Sequence, residues 1–333
     1  KITIPVGETT SSATVGTRPD DVYIQGDKTT DFKVDSTTGG GYDTVDKGNT
    51  ATAHVVDDKD VTGVTITAHN AKEGDTHVTF DVALGNKPQD GTTATVTVNV
   101  GGTDHVVTLD ADGKGTLSVA NDNTEDIYKD PSSLTATVTS IDGGNFEDTS
   151  VAGATATAKI DDTINPVYAR ITILNDATHS STVTEGGALT YRVDLVDAQG
   201  QAVDMSQSAG KPVTVQLNWG SGTADNSDVA NVDGVAHSQL PTSVELNADN
   251  HGSVTFTVNT QQDTVPEGTE TLQAQITNVQ QAHADSAGAF ESVQVSPTEH
   301  TATGTIDDYV PPKLIVDGNN SNDSTRHHRE HRR

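Results

Sequence analysis

The sequence predicts an all-β fold: tandem immunoglobulin-like antiparallel β-sandwiches in a linear array. Three observations carry that expectation. Apolar residues alternate with polar ones at period two, as in Val64, Ile66, Ala68, in Val78, Phe80, Val82, Leu84 and in Val96, Val98, Val100. That is the pattern of strands with one face turned inward. The breaks between these runs carry turn chemistry, among them Asn86-Lys-Pro88, Gly101-Gly102, Asp110-Ala-Asp-Gly113 and Asp142-Gly-Gly144. The chain also repeats itself at domain scale. Residues 50–58, 155–162 and 301–308 each read as an alternating strand closed by two aspartates, and the Asp pairs stand 104 and then 146 residues apart.

The elements follow in order. Residues 1–58 match only the last four strands of a repeat, so this stretch is the C-terminal part of one and is expected to expose its core. Residues 59–162 form a complete repeat of about 100 residues, the size of an immunoglobulin-like sandwich. Its strands fall at 61–68, 76–84, 92–100, 105–109, 115–120, 133–141 and 153–160. Residues 163–308 repeat the plan at 170–175, 188–196, 213–219, 243–246, 252–258, 271–279 and 300–306, with an insertion at 197–212. Residues 309–333 read as a disordered linker and tail. Two further motifs recur: Pro19-Asp-Asp-Val-Tyr-Ile24 matches Thr124-Glu-Asp-Ile-Tyr-Lys129, and Gly39-Gly-Gly-Tyr-Asp43 matches Gly143-Gly-Asn-Phe-Glu147.

Composition narrows the function. Lys plus Arg is 19 and Asp plus Glu 48 in 333 residues, a formal net charge of −29. So acidic a surface repels nucleic acid and anionic membrane, and favours divalent cations. At 32% hydrophobic and 4% aromatic residues, the chain is suited to several small cores rather than one large one. With no cysteine, no disulfide can brace them. No apolar run approaches the roughly 18–20 residues of a membrane-spanning helix. No signal peptide opens the chain, and Lys1 falls directly into a strand-like run, as expected of a piece of something longer.

The carboxylates are expected to converge. In a seven-strand up-and-down sandwich, consecutive strands alternate in direction. The loops after the first, third and fifth strands then share one pole with the end of the seventh. In the middle repeat that pole collects Glu73, then Glu125, Asp126 and Asp130, then Asp161 and Asp162. In the third repeat it collects Glu185, then Asp225 and Asp228, then Asp263, Glu267 and Glu270, then Asp307 and Asp308. Ca²⁺ suits such sites, because it takes 6–8 oxygens in flexible geometry, whereas Mg²⁺ demands a strict octahedron. Zn²⁺ would want spaced His or Cys, which these loops lack. A cation at the exit Asp pair would also stiffen the junction to a neighbouring repeat. The bland alternative is a solvated acidic face built from turn-forming Asp and Asn.

The third repeat resembles a Calx-β-type module. Val183-Thr-Glu-Gly186, Gly222-Thr-Ala-Asp-Asn-Ser-Asp228 and Asp263-Thr-Val-Pro-Glu-Gly-Thr-Glu270 are similar to its motifs, in order. The resemblance implies calcium at Glu185, Asp228, Asp263, Glu267 and Asp307. The family usually carries an aromatic after the Asp of the second motif, where Val229 stands here. The first two repeats resemble the immunoglobulin-like repeats of giant type I-secreted RTX adhesins of bacteria, through Asp20-Asp-Val-Tyr23, Glu125-Asp-Ile-Tyr128, Gly143-Gly-Asn-Phe-Glu147 and the strand-final Asp pairs. Pro311-Pro-Lys-Leu-Ile-Val-Asp-Gly-Asn-Asn320 is similar to the lead-in to their calcium nonapeptides. The resemblance covers residues 1–320. It implies calcium-stabilised extender repeats, monomeric and extracellular at the bacterial cell surface, that hold a distal binding region away from the cell for adhesion and biofilm formation.

Catalytic readings fare poorly. His327-x-x-Glu330-His331 has the spacing of a zinc protease motif, but at the chain end it lacks the folded helix that chemistry needs. No nucleophile-elbow motif such as G-x-S-x-G is present. Trp219, the one Trp, ends an alternating strand and is expected in the core rather than on a sugar platform. The expected protein is therefore not an enzyme, and neighbouring repeats of the same chain are its first partners. The alternative is that residues 163–308 themselves bind a glycan or protein receptor through the insertion at 197–212 and the loop at 226–241.

Overall fold

The computed structural model describes residues 1–220, 222–224, 226–236 and 239–313. Asp225, most of the expected tail and lead-in, and His327, Glu330 and His331 lie outside the described residues. The chain divides into two compact units. Unit 1 comprises Lys1–Glu125 and Pro131–Thr163; unit 2 comprises Asp126–Asp130 and the chain from Ile164 onward.

Unit 1 holds a two-sheet sandwich. One sheet runs Asp148–Ser150, Val61–His69, His77–Leu84, Lys114–Ala120. The other runs Ala71–Lys72, Thr155–Asp161, Ser132–Gly143, Ala94–Val100, Thr103–Thr108. The alternation seen in the sequence becomes burial: in Ala94–Val100 every second residue is buried. Val78, Phe80 and Val82 of one sheet join Val96, Val98, Ala136, Val138 and Ala158 of the other in a single core. Each buried Val or Phe contributes about 1.5–3 kcal/mol and each Ala less, so a sandwich of Val and Ala depends on many of them together.

The connectivity corrects the up-and-down expectation. Lys114–Ala120 returns beside His77–Leu84, and Ser132–Gly143 lies beside Ala94–Val100. Ala94–Val100 has already turned tightly at Gly101-Gly102 to pair with Thr103–Thr108, so the next strand must cross to the free edge of the other sheet. All these pairings are antiparallel, so the alternation of direction survives the crossing.

Residues 1–58 form less structure than expected. Of four anticipated strands, two appear, Lys28–Phe32 paired with Ala51–Val55. Ile2, Ile4, Val6, Val15, Val34, Val45 and Val56 are exposed.

Unit 2 is a larger sandwich. Its six-stranded sheet runs Val235–Ala236, Val229–Val232, Ser253–Thr260, Ala188–Val196, Pro166–Ile173, Ser292–Val295. The five-stranded sheet runs Thr182–Thr184, Thr301–Asp307, Glu270–Gln281, Val213–Asn218, Ser243–Leu246. Leu189, Tyr191, Val193 and Phe256 pack into one core with Val213, Val215, Leu272 and Ile276. Trp219 packs against that core, edge-on to Tyr191 at 5.1 Å, and its indole N–H donates to the Pro241 carbonyl at 2.8 Å. The insertion folds onto the sandwich and buries Val203 and Met205. The expected loop after Asn226 is instead an edge hairpin on Ser253–Thr260, whose strands of four and two residues are too short to announce themselves by alternation.

Candidate metal centres

In unit 2 the acidic loops meet at one pole. Glu185 follows Thr182–Thr184, and its N–H donates to the Asp307 carbonyl at 2.9 Å, tying the first loop to the last strand. Asp228 ends the 3-10 turn Asn226–Asp228, and its carbonyl accepts the Gln261 N–H at 2.7 Å. Asp263 turns the next loop by accepting the Val265 N–H at 2.7 Å. Glu270 opens the strand Glu270–Gln281.

One carboxylate oxygen from each of Glu185, Asp263 and Glu267 lies within 4.8 Å of the others, and the same holds for Asp228, Glu267 and Glu270. Two oxygens that share a Ca²⁺ at about 2.4 Å can stand at most about 4.8 Å apart, so both groups have the spread one ion requires. Glu267 belongs to both. Although Glu267 is exposed, its carboxyl is held above the ordinary carboxylate range, first by the water its crowded neighbours displace and then by the charges of Asp228, Asp263, Glu185 and Asp308. Repulsion of that kind is what a divalent cation relieves.

Asp307 and Asp308 do other work. Asp308 accepts the N–H groups of Glu267 at 3.1 Å and Gly268 at 3.0 Å, and Asp307 accepts the Thr269 hydroxyl at 2.9 Å. The strand-final pair thus shapes the turn that carries Glu267, and it lies outside both groups of three.

In unit 1 the exit pole is built around Glu73, whose exposure is 2%. Its N–H donates to the Asp161 carbonyl at 3.0 Å. Glu73 Oε1 accepts the Thr163 N–H at 3.2 Å, and the Thr163 hydroxyl lies 2.9 Å from it and 2.5 Å from Glu125 Oε1. One hydroxyl proton serves one of these carboxylates at a time. Glu73 Oε2 is buried and has no hydrogen-bond partner. A buried, unpartnered carboxylate oxygen is costly, and a cation would satisfy it. Gly74, at φ +74°, leaves room for Glu125, since a Cβ there would stand 2.8 Å from Glu125 Oε2. Asp161 is exposed and Asp162 half-buried. Asp126 and Asp130 belong to the segment grouped with unit 2, where Asp126 Oδ1 accepts the Tyr128 N–H at 2.6 Å. The donors in both units are oxygens throughout, which suits a hard cation and not zinc.

A further acidic gathering lies in residues 18–60. The Asp20 carboxyl is raised, chiefly by Asp58 and then by Asp60. Beside it Asp57 is lowered by the N–H groups of Gln25 and Gly26, both at 2.8 Å, and by Arg18 at 2.6 Å. The signal was available: Asp20 aligns with Glu125, and Asp58 with Asp162.

Two sandwiches with acidic poles, built on a repeated sequence, are now in view. Residues 60–163 match the LapA domain. The match supports a bacterial adhesin, and it spans the complete middle repeat with its Glu73 pole. No curated protein matches the chain. Among solved structures, one described as "Structural insight into host cell surface retention of a 1.5-MDa bacterial ice-binding adhesin" is 13% identical, with a TM-score of 0.20 over 79% of this chain and 71% of that one. The "tetra-tandem repeat in extending region of large adhesion protein" is 14% identical, with a TM-score of 0.27, and the match covers 85% of this chain and 57% of that one. A marsupial T cell receptor is 9% identical at a TM-score of 0.21, over 70% and 73% of the two chains. These superpositions are loose and decide nothing about function. The LapA-matched repeat and unit 2 share an all-β sandwich architecture, and among the described residues no helix is long and apolar enough to cross a membrane.

Proposed function

We propose that this chain is an extender segment of a bacterial cell-surface adhesin and that Ca²⁺ stiffens its repeats. The adhesin part rests on the LapA match to the middle repeat. The calcium part is carried by one observation: Glu185, Asp228 and the stretch holding Asp263, Glu267 and Glu270 come from three separate connections, and their carboxylates form two overlapping groups around Glu267. Bound Ca²⁺ would take oxygens from these residues, and at the unit 1 pole from Glu73 with Glu125 or Asp162 beside it. Neutralised, the loops no longer repel, and the first, third and fifth connections become tied to one another. An extender needs that resistance to fraying, because it transmits force along the chain. RTX-type secretion, a Calx-β relationship and a role in biofilm formation belong to this reading through the resemblance of the motifs.

The ligand-binding alternative gains nothing from the insertion, whose Val203 and Met205 are spent in the core of unit 2. The test is calorimetric titration of CaCl₂ into the metal-stripped chain and into Glu267→Gln. The reading expects saturable binding with at least two ions bound, and loss of ions or of about tenfold in affinity in the variant. Absence of saturable binding in the stripped wild-type chain would sink the calcium part and leave the adhesin part standing.

A further inference from the structure

The sheet edges of the two units carry the same device twice. In unit 2 the segment Asp126–Asp130 lies along residues 288–291, although it comes from the middle of the preceding repeat's sequence. Tyr128 and Phe290 form an antiparallel bridge and their rings stack at 5.3 Å. The Lys129 N–H donates to the Ala289 carbonyl at 2.7 Å, the Gly288 N–H to the Lys129 carbonyl at 2.7 Å, and the Glu291 N–H to the Ile127 carbonyl at 3.0 Å. Tyr128 is 5% exposed, counts within the core of unit 2, and its hydroxyl donates to the Asp204 carbonyl.

Unit 1 repeats most of these parts around Tyr23, which is half-buried against its core. Tyr23 and Phe146 form an antiparallel bridge with rings stacked at 6.1 Å. The Ile24 N–H donates to the Asn145 carbonyl at 2.9 Å, and the Glu147 N–H to the Val22 carbonyl at 3.0 Å. The Tyr23 hydroxyl donates to the Lys87 carbonyl at 3.0 Å. In both straps an Asp two residues before the Tyr accepts the Tyr N–H, Asp21 as Asp126 does. In both sockets the Glu after the Phe accepts the N–H of the residue that enters the first strand of its sandwich, Asp60 for Glu147 and Asn165 for Glu291.

We propose that Asp-(Val/Ile)-Tyr is a portable docking strap, that the Phe-Glu edge of a following repeat is its socket, and that each sandwich is completed by a strap from the repeat before it. The pairing is main-chain addition to a sheet edge with one aromatic anchor, so affinity comes from the backbone and specificity from the Tyr pocket. Because the two sockets read the same features, the straps are interchangeable between them.

The test uses the full chain in calcium-free buffer, which separates it from the calcium reading. Asp126–Asp130 is replaced by Gly-Ser-Gly-Ser-Gly, and peptides spanning residues 121–132 or 16–28 are added in excess. The replacement is expected to lower the melting temperature of unit 2 by about 10 °C, the consequence of removing one core aromatic from a domain of this size. Either peptide should restore most of it, and a 121–132 peptide carrying Tyr128→Ala should not. Unchanged melting, or equal rescue by the Ala peptide, overturns the proposal. Should the replaced chain fail to fold, Tyr128→Ala and Tyr128→Phe in the intact chain serve instead. A large loss from the Ala variant and a small one from the Phe variant is expected; no loss from the Ala variant overturns the proposal.

Discussion

Glu267 is the residue on which the acidic pole of unit 2 turns. Partial loss of water in a crowded loop raises its carboxyl first, and four neighbouring carboxylates raise it further. Glu267→Gln removes that charge, so the calcium-free chain is expected to melt higher than wild type while its response to calcium shrinks. Paired thermal melts with and without CaCl₂ check this, and a variant that loses stability in both conditions would mean the side chain serves packing alone. Tyr128 offers a second handle. Burial first, then Asp204 and Asp126, push its phenol up to about 12. A folded value above the unfolded one means the phenol contributes stability below its ordinary range near about 10, and that contribution is lost as pH rises toward about 12. Ultraviolet titration should show a late-ionising tyrosine that disappears in Tyr128→Phe. If instead Tyr128→Phe leaves the late-ionising component unchanged, Tyr128 is not buried in the strap.

At the scale of strands and turns, the sequence was most legible where one face is buried. Ala94–Val100 alternates in sequence and in burial alike, because its side chains face a core on one side and water on the other. Short edge elements escaped notice. Thr182–Thr184, Asp148–Ser150 and Ser292–Val295 are three or four residues long, and parallel pairing to a neighbour holds each in place. A strand of that length carries no readable period, and its partner lies far away in sequence. Turn chemistry was legible, and the glycines differ in what they would tolerate. Gly143 sits at φ +79°, and a Cβ there would meet the Thr93 carbonyl oxygen at 2.2 Å, whereas Gly153, at φ +74°, faces open space. Gly143→Ala should therefore cost about 3 kcal/mol and Gly153→Ala about 1 kcal/mol. Denaturant melts of the two variants separate backbone strain from steric clash; equal costs would mean the turn at Gly143 relaxes.

Across the whole molecule, a charge of −29 with no cysteine makes small sandwiches depend on something other than disulfides. Strand direction was enough to foresee that Glu185, Asp228, Asp263 and Glu267 would gather, although the assumed strand order was wrong, because antiparallel pairing alternates direction in either order. What parity could not foresee is which acids shape turns. Asp307 and Asp308 look like ligands in the sequence, yet they hold the 267–269 turn by hydrogen bonds. Nor could it separate Asp126–Asp130 from the repeat that contains it, since only the aromatic at Tyr128 marks that segment, and its socket lies 162 residues downstream at Phe290. The central claim, that cations hold these poles together, is tested most directly by thermal unfolding of the full chain in millimolar CaCl₂ against EGTA, with MgCl₂ in parallel. Binding to the folded state at about a hundred times Kd adds about 2.7 kcal/mol per site, which for domains of this size raises the melting temperature by about 5–10 °C. The account predicts that rise with calcium and a much smaller one with magnesium. Identical melting in CaCl₂ and EGTA, or an equal rise with MgCl₂, would contradict it.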